Sequence, residues 1–379
     1  MDWTLLINEL LQGIITLGTD WPRIIMMIIG GILIWLAIAK EYEPVLLLPI
    51  GVGCILTNIP LTGMSIGQYH GFFDLLYQGG IVNELFPLLI FIGVGAMTDF
   101  GPLLENPRMA LLGAAGQFGI FGTLLLATFV GYTINESASI GIIGAADGPT
   151  SIYVASKLAP HLLGPIAVAA YSYMSLVPVI QPPVMRLLTT RKQRLIQMPY
   201  TSQPVSRTAR ILFPIIVILL TGILVPLATP LISMLMFGNL LREALVVERL
   251  SKTAQNELVN VVTLFLGLAI GSTMVAEQFL TLKTIGIIVM GVMAFVLDTV
   301  GGVLFGQAMR ILSGNRFNPL IGAAGISAFP MSARVVHRVA QEEDFSNFLL
   351  MHAMGANTAG QIGSVLAGGV VMALLAGGG

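Results

Sequence analysis

Apolar runs of membrane-spanning length follow one another along the whole chain, at about 23–40, 44–60, 80–98, 108–132, 160–185, 210–227, 228–241, 257–275, 283–306 and 346–376. Roughly 20 apolar residues cross a bilayer core, so there is room for about ten spans. The runs are continuous and not alternating, which excludes an outer-membrane barrel. Charge is too sparse for a soluble surface: charged residues make up 10% of the 379, against about 25% in a typical soluble domain. The fold class is an all-α polytopic membrane protein. A shorter apolar segment, 3–17, reads as a thin span or an interfacial helix within an N-terminal segment 1–22. The start, Met1-Asp2-Trp3, lacks the basic region of a cleavable signal. The lone Cys54 excludes a disulfide framework and a cysteine metal site.

Two further runs, 137–158 and 318–340, are apolar but interrupted by Gly, Pro, Asp, Asn and Arg, and read as broken hairpins. The most polar stretch, 186–209, carries Arg186, Arg191, Lys192, Arg194 and Arg207, with Arg210 just beyond. It divides the chain into halves that echo one another. Phe91-Ile92-Gly93-Val94-Gly95 recurs as Phe265-Leu266-Gly267-Leu268-Ala269, and Ile143-Gly144-Ala145-Ala146 as Ile321-Gly322-Ala323-Ala324. Arg23-Ile24-Ile25 recurs as Arg210-Ile211-Leu212, and Gln181 as Gln361. Four matches in order suggest two repeats, 23–185 with hairpin 137–158 and 210–379 with hairpin 318–340. With the central loop in the cytoplasm, 15 of the 18 basic residues fall inside and only Arg23, Lys157 and Lys283 outside, as the positive-inside rule requires. The two halves then have inverted topology, and their hairpins meet near the membrane midplane from opposite sides.

The sharpest chemical feature is Gly144-Ala145-Ala146-Asp147-Gly148-Pro149-Thr150-Ser151. A carboxylate at membrane depth is a functional candidate by default, and the adjacent Gly-Pro frees backbone carbonyls and helix ends. Hard oxygens of this kind suit Na⁺ or H⁺, and broken helices hold the ion sites of many secondary transporters. A surface helix cap or a Gly144–Gly148 packing face fits the same residues. In the second hairpin Asn318 and Ser327 supply neutral oxygens, while Pro319 and Pro330 break the helix. Arg334 can hold a carboxylate by its planar fork or merely set topology. Asn357 is an ion ligand or an interhelical hydrogen bond, and Asp298 a relay or a buried hydrogen bond. Tyr171 and Tyr173 have the packing role usual for lone tyrosines in spans. The histidines show no metal-ligand spacing, and no nucleotide-binding motif is present. The basic loop suits anionic lipid or a cytosolic protein, not nucleic acid.

Four long segments carry a resemblance: GAADGPTSIYVASKLAP (144–160), YSYMSLVPVIQPPVM (171–185), FNPLIGAAGISAFPMSARV (317–335) and NFLLMHAMGANTAGQIGSV (347–365). They resemble the beta subunits of the biotin-dependent, sodium-translocating decarboxylases, over nearly the whole chain. The resemblance implies a membrane subunit that decarboxylates carboxybiotin held on a carrier protein and exports Na⁺, consuming an external proton. It implies Asp147, Asn318, Gly322, Ser327 and Asn357 as the Na⁺ region, with Tyr173 and Arg334 as catalytic positions and Arg334 on the carboxybiotin side. It implies Na⁺ and partner-borne biotin as cofactors. The implied partners are a carboxyltransferase and biotin-carrier subunit, a small membrane-anchoring subunit and further copies of the chain. The implied place is the cytoplasmic membrane of a bacterium or archaeon. A stand-alone Na⁺/H⁺ antiporter or Na⁺-coupled organic-anion carrier is the competing reading, since inverted repeats and a buried Asp serve it equally well. A non-transporting scaffold fits the polar hairpins poorly.

Overall fold

The computed structural model describes residues 12–13, 16–60, 71–200 and 205–376. Most of the 3–17 segment lies outside them. Among the described residues the fold is all-helical. Ten long helices carry it: α1 (Trp21–Ala39), α2 (Pro44–Asn58), α3 (Leu85–Met97), α4 (Met109–Val130), α5 (Leu163–Leu188), α6 (Arg207–Leu224), α7 (Thr229–Ala244), α8 (Val259–Ser272), α9 (Leu282–Leu312) and α10 (Leu350–Ala376). Local chemistry sets their starts. Prolines stand in the first turn of α1, α2 and α7, where a missing N–H costs nothing. Ser206 and Thr281 cap α6 and α9 through Ala209 N–H and Thr284 N–H.

Among the described residues, seven helices are long and apolar enough to cross a membrane, or eight with the pair Phe72–Val82 and Leu85–Met97, which bends by 59°. This falls short of the ten spans expected. The difference is α2 and α7, with 15 and 16 residues; at 1.5 Å per residue they reach only about 23 Å of a bilayer core about 30 Å thick. Lipid-facing stripes are visible on the outer helices. On α1, Trp21, Ile24, Ile28, Ile32, Trp35 and Ile38 are exposed at helical spacing, and on α6 only Pro214 and Thr221 are buried. Such apolar area would not be left open to water.

The order of elements in 21–188 recurs in 207–376: a span, a short helix, an interrupted helix, a one-turn helix, a long span, a broken hairpin and a closing span. The halves are also interlocked. Short helix α2 packs on α8 of the other half, and α7 packs on α3; likewise α5 packs on α9, and α10 on the start of α4. Glycines allow the backbones to touch: a Cβ at Gly53 or Gly271 would strike the opposite helix's backbone, as would one at Gly95 or Gly238.

Several ion pairs join segments far apart in sequence. Arg186 pairs with Glu342, Arg191 and Arg194 with Glu343, and Arg210 and Arg242 with Asp99 and Glu243. At the other end of α9, Lys283 pairs with Glu136, which also meets His161, and Lys157 pairs with Glu84.

Candidate functional site: two helix breaks joined at a carboxylate

The first hairpin runs through Ile134–Gly141 and a tight turn Ile142–Ala145, then breaks. Ala146 takes the left-handed conformation and Asp147 is extended, capping helix Gly148–Leu158 with Pro149 in its first turn. Asp147 Oδ1 accepts from Thr150 N–H at 3.3 Å, and Oδ2 accepts from the Thr150 hydroxyl at 2.7 Å and the Ser364 hydroxyl at 3.1 Å. The carboxylate therefore sits at a helix N-terminus, where the peptide dipoles favour negative charge, and is only 6% exposed.

The second hairpin runs through Pro319–Gly325, breaks at Ile326–Pro330 and resumes as Met331–Glu343. Its break meets the first: Ser327 N–H donates to Ala145 O at 3.2 Å. The last span holds this junction. Ser327 Oγ donates to Gly360 O at 2.9 Å, the Gln361 amide donates to Ser327 O, and Asn357 Nδ2 donates to Ile326 O at 2.6 Å and Ser332 Oγ at 3.1 Å. Gln117 Nε2 reaches Gly113 O at 2.9 Å and Gly325 O at 3.4 Å, and Gln181 Nε2 reaches Ala323 O at 2.8 Å. Each amide spends its N–H on the backbone. The oxygens Gln117 Oε1, Gln181 Oε1 and Asn357 Oδ1 stay buried with no donor among the described residues. Buried acceptors without donors cost about 1–3 kcal/mol each and mark where a hard cation fits.

Of the sequence candidates, the structure brings Asp147, Ser327 and Asn357 to this junction. Asn318 lies elsewhere: its Oδ1 caps Leu320 N–H, and its Nδ2 holds Arg194 O and Ile196 O of the basic loop at 2.9 and 2.8 Å. Gly322 faces Gly302 of α9, and a Cβ at either would overlap the other's backbone. Tyr173 donates its hydroxyl to Ile288 O and stacks edge-on with Phe295 at 6.0 Å. Its neighbour Tyr171 lies over Gly148, where a Cβ would overlap its ring, and the buried Tyr171 hydroxyl has no partner among the described residues. Asp298 is buried against Gly119 and Gly144, beside the first break. Thr150 belongs to the motif that the sequence offers, whereas Ser364, Gln117, Gln181 and Gln361 join the site without standing out as ligands in the sequence. The Gln181–Gln361 echo was the signal for two of them; Ser364 has none, since its contact spans 217 residues.

Arg334 opens onto a cavity of about 400 Å³ lined by Lys40, Glu41, Tyr42, Glu43, Ser175, Pro178, Met331, Val335 and Arg338. Neither Arg334 nor Arg338 has an ion-pair partner among the described residues. Guanidinium groups beside Pro, Val and Met walls suit a small anion carried on an apolar ring.

Residues 22–375 match the family model described as the Na⁺-transporting oxaloacetate decarboxylase beta subunit. The chain is 56% identical to methylmalonyl-CoA decarboxylase subunit beta of Veillonella parvula, over 93% of this chain and 92% of the relative. It is 55% identical to glutaconyl-CoA decarboxylase subunit beta of Acidaminococcus fermentans, over 94% of each. It is 47% identical to oxaloacetate decarboxylase beta chain of Klebsiella pneumoniae, over 97% of this chain and 98% of the relative. Matched over nearly its whole length by that model and by these relatives, the chain belongs to the beta-subunit family of the Na⁺-transporting decarboxylases.

Proposed function

We propose that this subunit releases CO₂ from carboxybiotin delivered by a carrier subunit and couples that reaction to Na⁺ export, consuming a proton from outside. The observation that supports it most is the junction of the two helix breaks at Asp147. There the carboxylate accepts from two hydroxyls, and the amides of Asn357, Gln117 and Gln181, whose oxygens have no donor among the described residues, bond the backbone of the second hairpin. Na⁺ is the cargo of this site: Asp147 supplies the charge, with Thr150 and Ser364 orienting it, and the amides of Asn357, Gln117 and Gln181 supply neutral oxygens. Asn318 and Gly322 contribute by holding the second hairpin in place, to the basic loop and to α9.

The Arg334 cavity receives the carboxybiotin. Its guanidinium groups complement the carbamate, and its apolar wall complements the ring system. Arg334 and Lys40 both fall on the cytoplasmic side of the charge map. The repeated element order and reciprocal packing support inverted repeats in which the hairpin-bearing core moves against the outer helices. Na⁺ drives such movement only through unequal affinity for the two states. The partners are a carboxyltransferase and biotin-carrier subunit, a small membrane-anchoring subunit and other copies of this chain, in a bacterial or archaeal cytoplasmic membrane. Relatives named for three different acids have 47–56% identity to this chain, which fits a subunit that never meets the acyl substrate. Na⁺ uptake by inverted vesicles carrying the purified complex tests the proposal. Uptake should follow decarboxylation and require a copurifying biotinylated polypeptide; uptake without one would favour the stand-alone carrier.

A further inference from the structure

The turn between α1 and α2 is strained where no glycine relieves it. Glu41 and Glu43 have φ of 55° and 37°, left-handed values that cost a non-glycine residue of order 1–3 kcal/mol and persist where something over-determines them. Both line the Arg334 cavity, and Glu43 caps neither its helix nor a cation: it makes no side-chain cap bond and has no ion-pair partner among the described residues. Two hydroxyls of α5, one turn apart, lead from this cavity toward the first helix break. Ser175 lines the cavity and Tyr171 covers Gly148; neither hydroxyl has a partner among the described residues.

We infer that Glu43 is the acid that protonates the biotin nitrogen when CO₂ leaves, with Ser175 and Tyr171 forming the polar throat between that acid and Asp147. The inference rests on the reading of the cavity as the carboxybiotin site. In the step, the bond between the ureido nitrogen and the carboxylate carbon breaks, and its electron pair stays on nitrogen. CO₂ departs, and that nitrogen takes the proton from the Glu43 carboxyl, leaving a carboxylate to be reprotonated. Carboxybiotin plus one proton thus becomes biotin plus CO₂. Burial pushes the Glu43 carboxyl above the ordinary glutamate range, so the acid form persists closer to neutral pH. The charged and titratable groups facing it are Lys40, Glu41 and Tyr42 on its own turn, Arg334 and Arg338 on the second hairpin, and Tyr171 on α5.

The experiment compares Glu43→Gln, Glu43→Asp, Glu43→Gly and Arg334→Ala in the purified whole complex. It reads CO₂ release from pre-carboxylated carrier across pH, together with the thermal midpoint. Glu43→Gln should slow release at least tenfold, with an unchanged midpoint and loss of the fall in rate at high pH; Glu43→Asp should restore part of it. Glu43→Gly relieves the backbone strain, so its midpoint should hold or rise while release stays low. Release within twofold of the parent in Glu43→Gln, or activity and midpoint falling together in the Gln and Gly variants, overturns the assignment of Glu43. Unimpaired release in Arg334→Ala removes the reading of the cavity itself.

Discussion

Thr150→Val isolates the polar hold on Asp147. Valine matches threonine in shape at this fully buried position and keeps the backbone N–H that donates to Oδ1, so the helix cap survives. What disappears is the 2.7 Å hydroxyl bond to Oδ2. A hydrogen bond to a charged group contributes about 1.5–3 kcal/mol. The Ser364 hydroxyl cannot fully replace it, because its one proton is shared between Asp147 Oδ2 at 3.1 Å and Gln361 O at 3.0 Å. If the carboxylate must be ionised and aimed for Na⁺ to bind, the loss appears in Na⁺ affinity. At 1.36 kcal/mol per decade that is roughly a 10- to 150-fold rise in half-saturating Na⁺. The assay is Na⁺-dependent decarboxylation by the purified complex, with Thr150→Ser as the conservative control expected to stay near the parent. A Thr150→Val complex with normal thermal stability and half-saturating Na⁺ within twofold of the parent would refute the reasoning and reduce Asp147 to a capping residue.

Three further outcomes are expected. Asp147→Asn removes the charge of the junction carboxylate and should abolish Na⁺-dependent decarboxylation while the protein still inserts, as checked by vesicle uptake and membrane fractionation. Gly322→Ala should fail by overpacking against Gly302, at about 1–3 kcal/mol: the thermal midpoint drops, while half-saturating Na⁺ of the folded fraction is unchanged. At the other end of α9, burial opposes charge on Glu136, but the Lys283 ammonium, Thr133 and His161 outweigh it and hold its carboxyl down at about 2. A depressed carboxyl stabilises the fold above its ordinary value of 4.5, and that contribution is lost as pH falls toward about 2. The midpoint gap between the parent and Glu136→Gln should therefore be full at neutral pH and narrow between about 4.5 and 2.

Much of this was legible in sequence because it is local. Asp147 announces itself as a charge beside Gly-Pro in an apolar run, and both hairpins break where their prolines and glycines stand. The central loop pairs with the second hairpin's acids, as basic residues gathered on one side should. What was hidden is long-range or short. Ser364 and Gln117 are ordinary polar residues in small-residue helices until folding sets them against the breaks. Asn318 looked like a ligand because it opens a polar hairpin, yet its amide is spent on the basic loop. Tyr171 and Tyr173 are two residues apart and point to different neighbours, a distinction no pattern of spacing carries. Helices α2 and α7 read as spans in the sequence because apolar composition does not reveal how far a helix reaches. Glu43 looks like a loop acid, and only its backbone conformation sets it apart.

The exchange of α2 and α7 between the halves bears on how the protein is made. The first half leaves the ribosome with α2's glycine face bare until α8 arrives some two hundred residues later, and α3 waits likewise for α7. The early product is thus an unfinished assembly in the bilayer, exposed to quality-control proteolysis until the second half joins it. A chain cut in the basic loop should regain stability only when both pieces are synthesised together, and neither piece alone should persist.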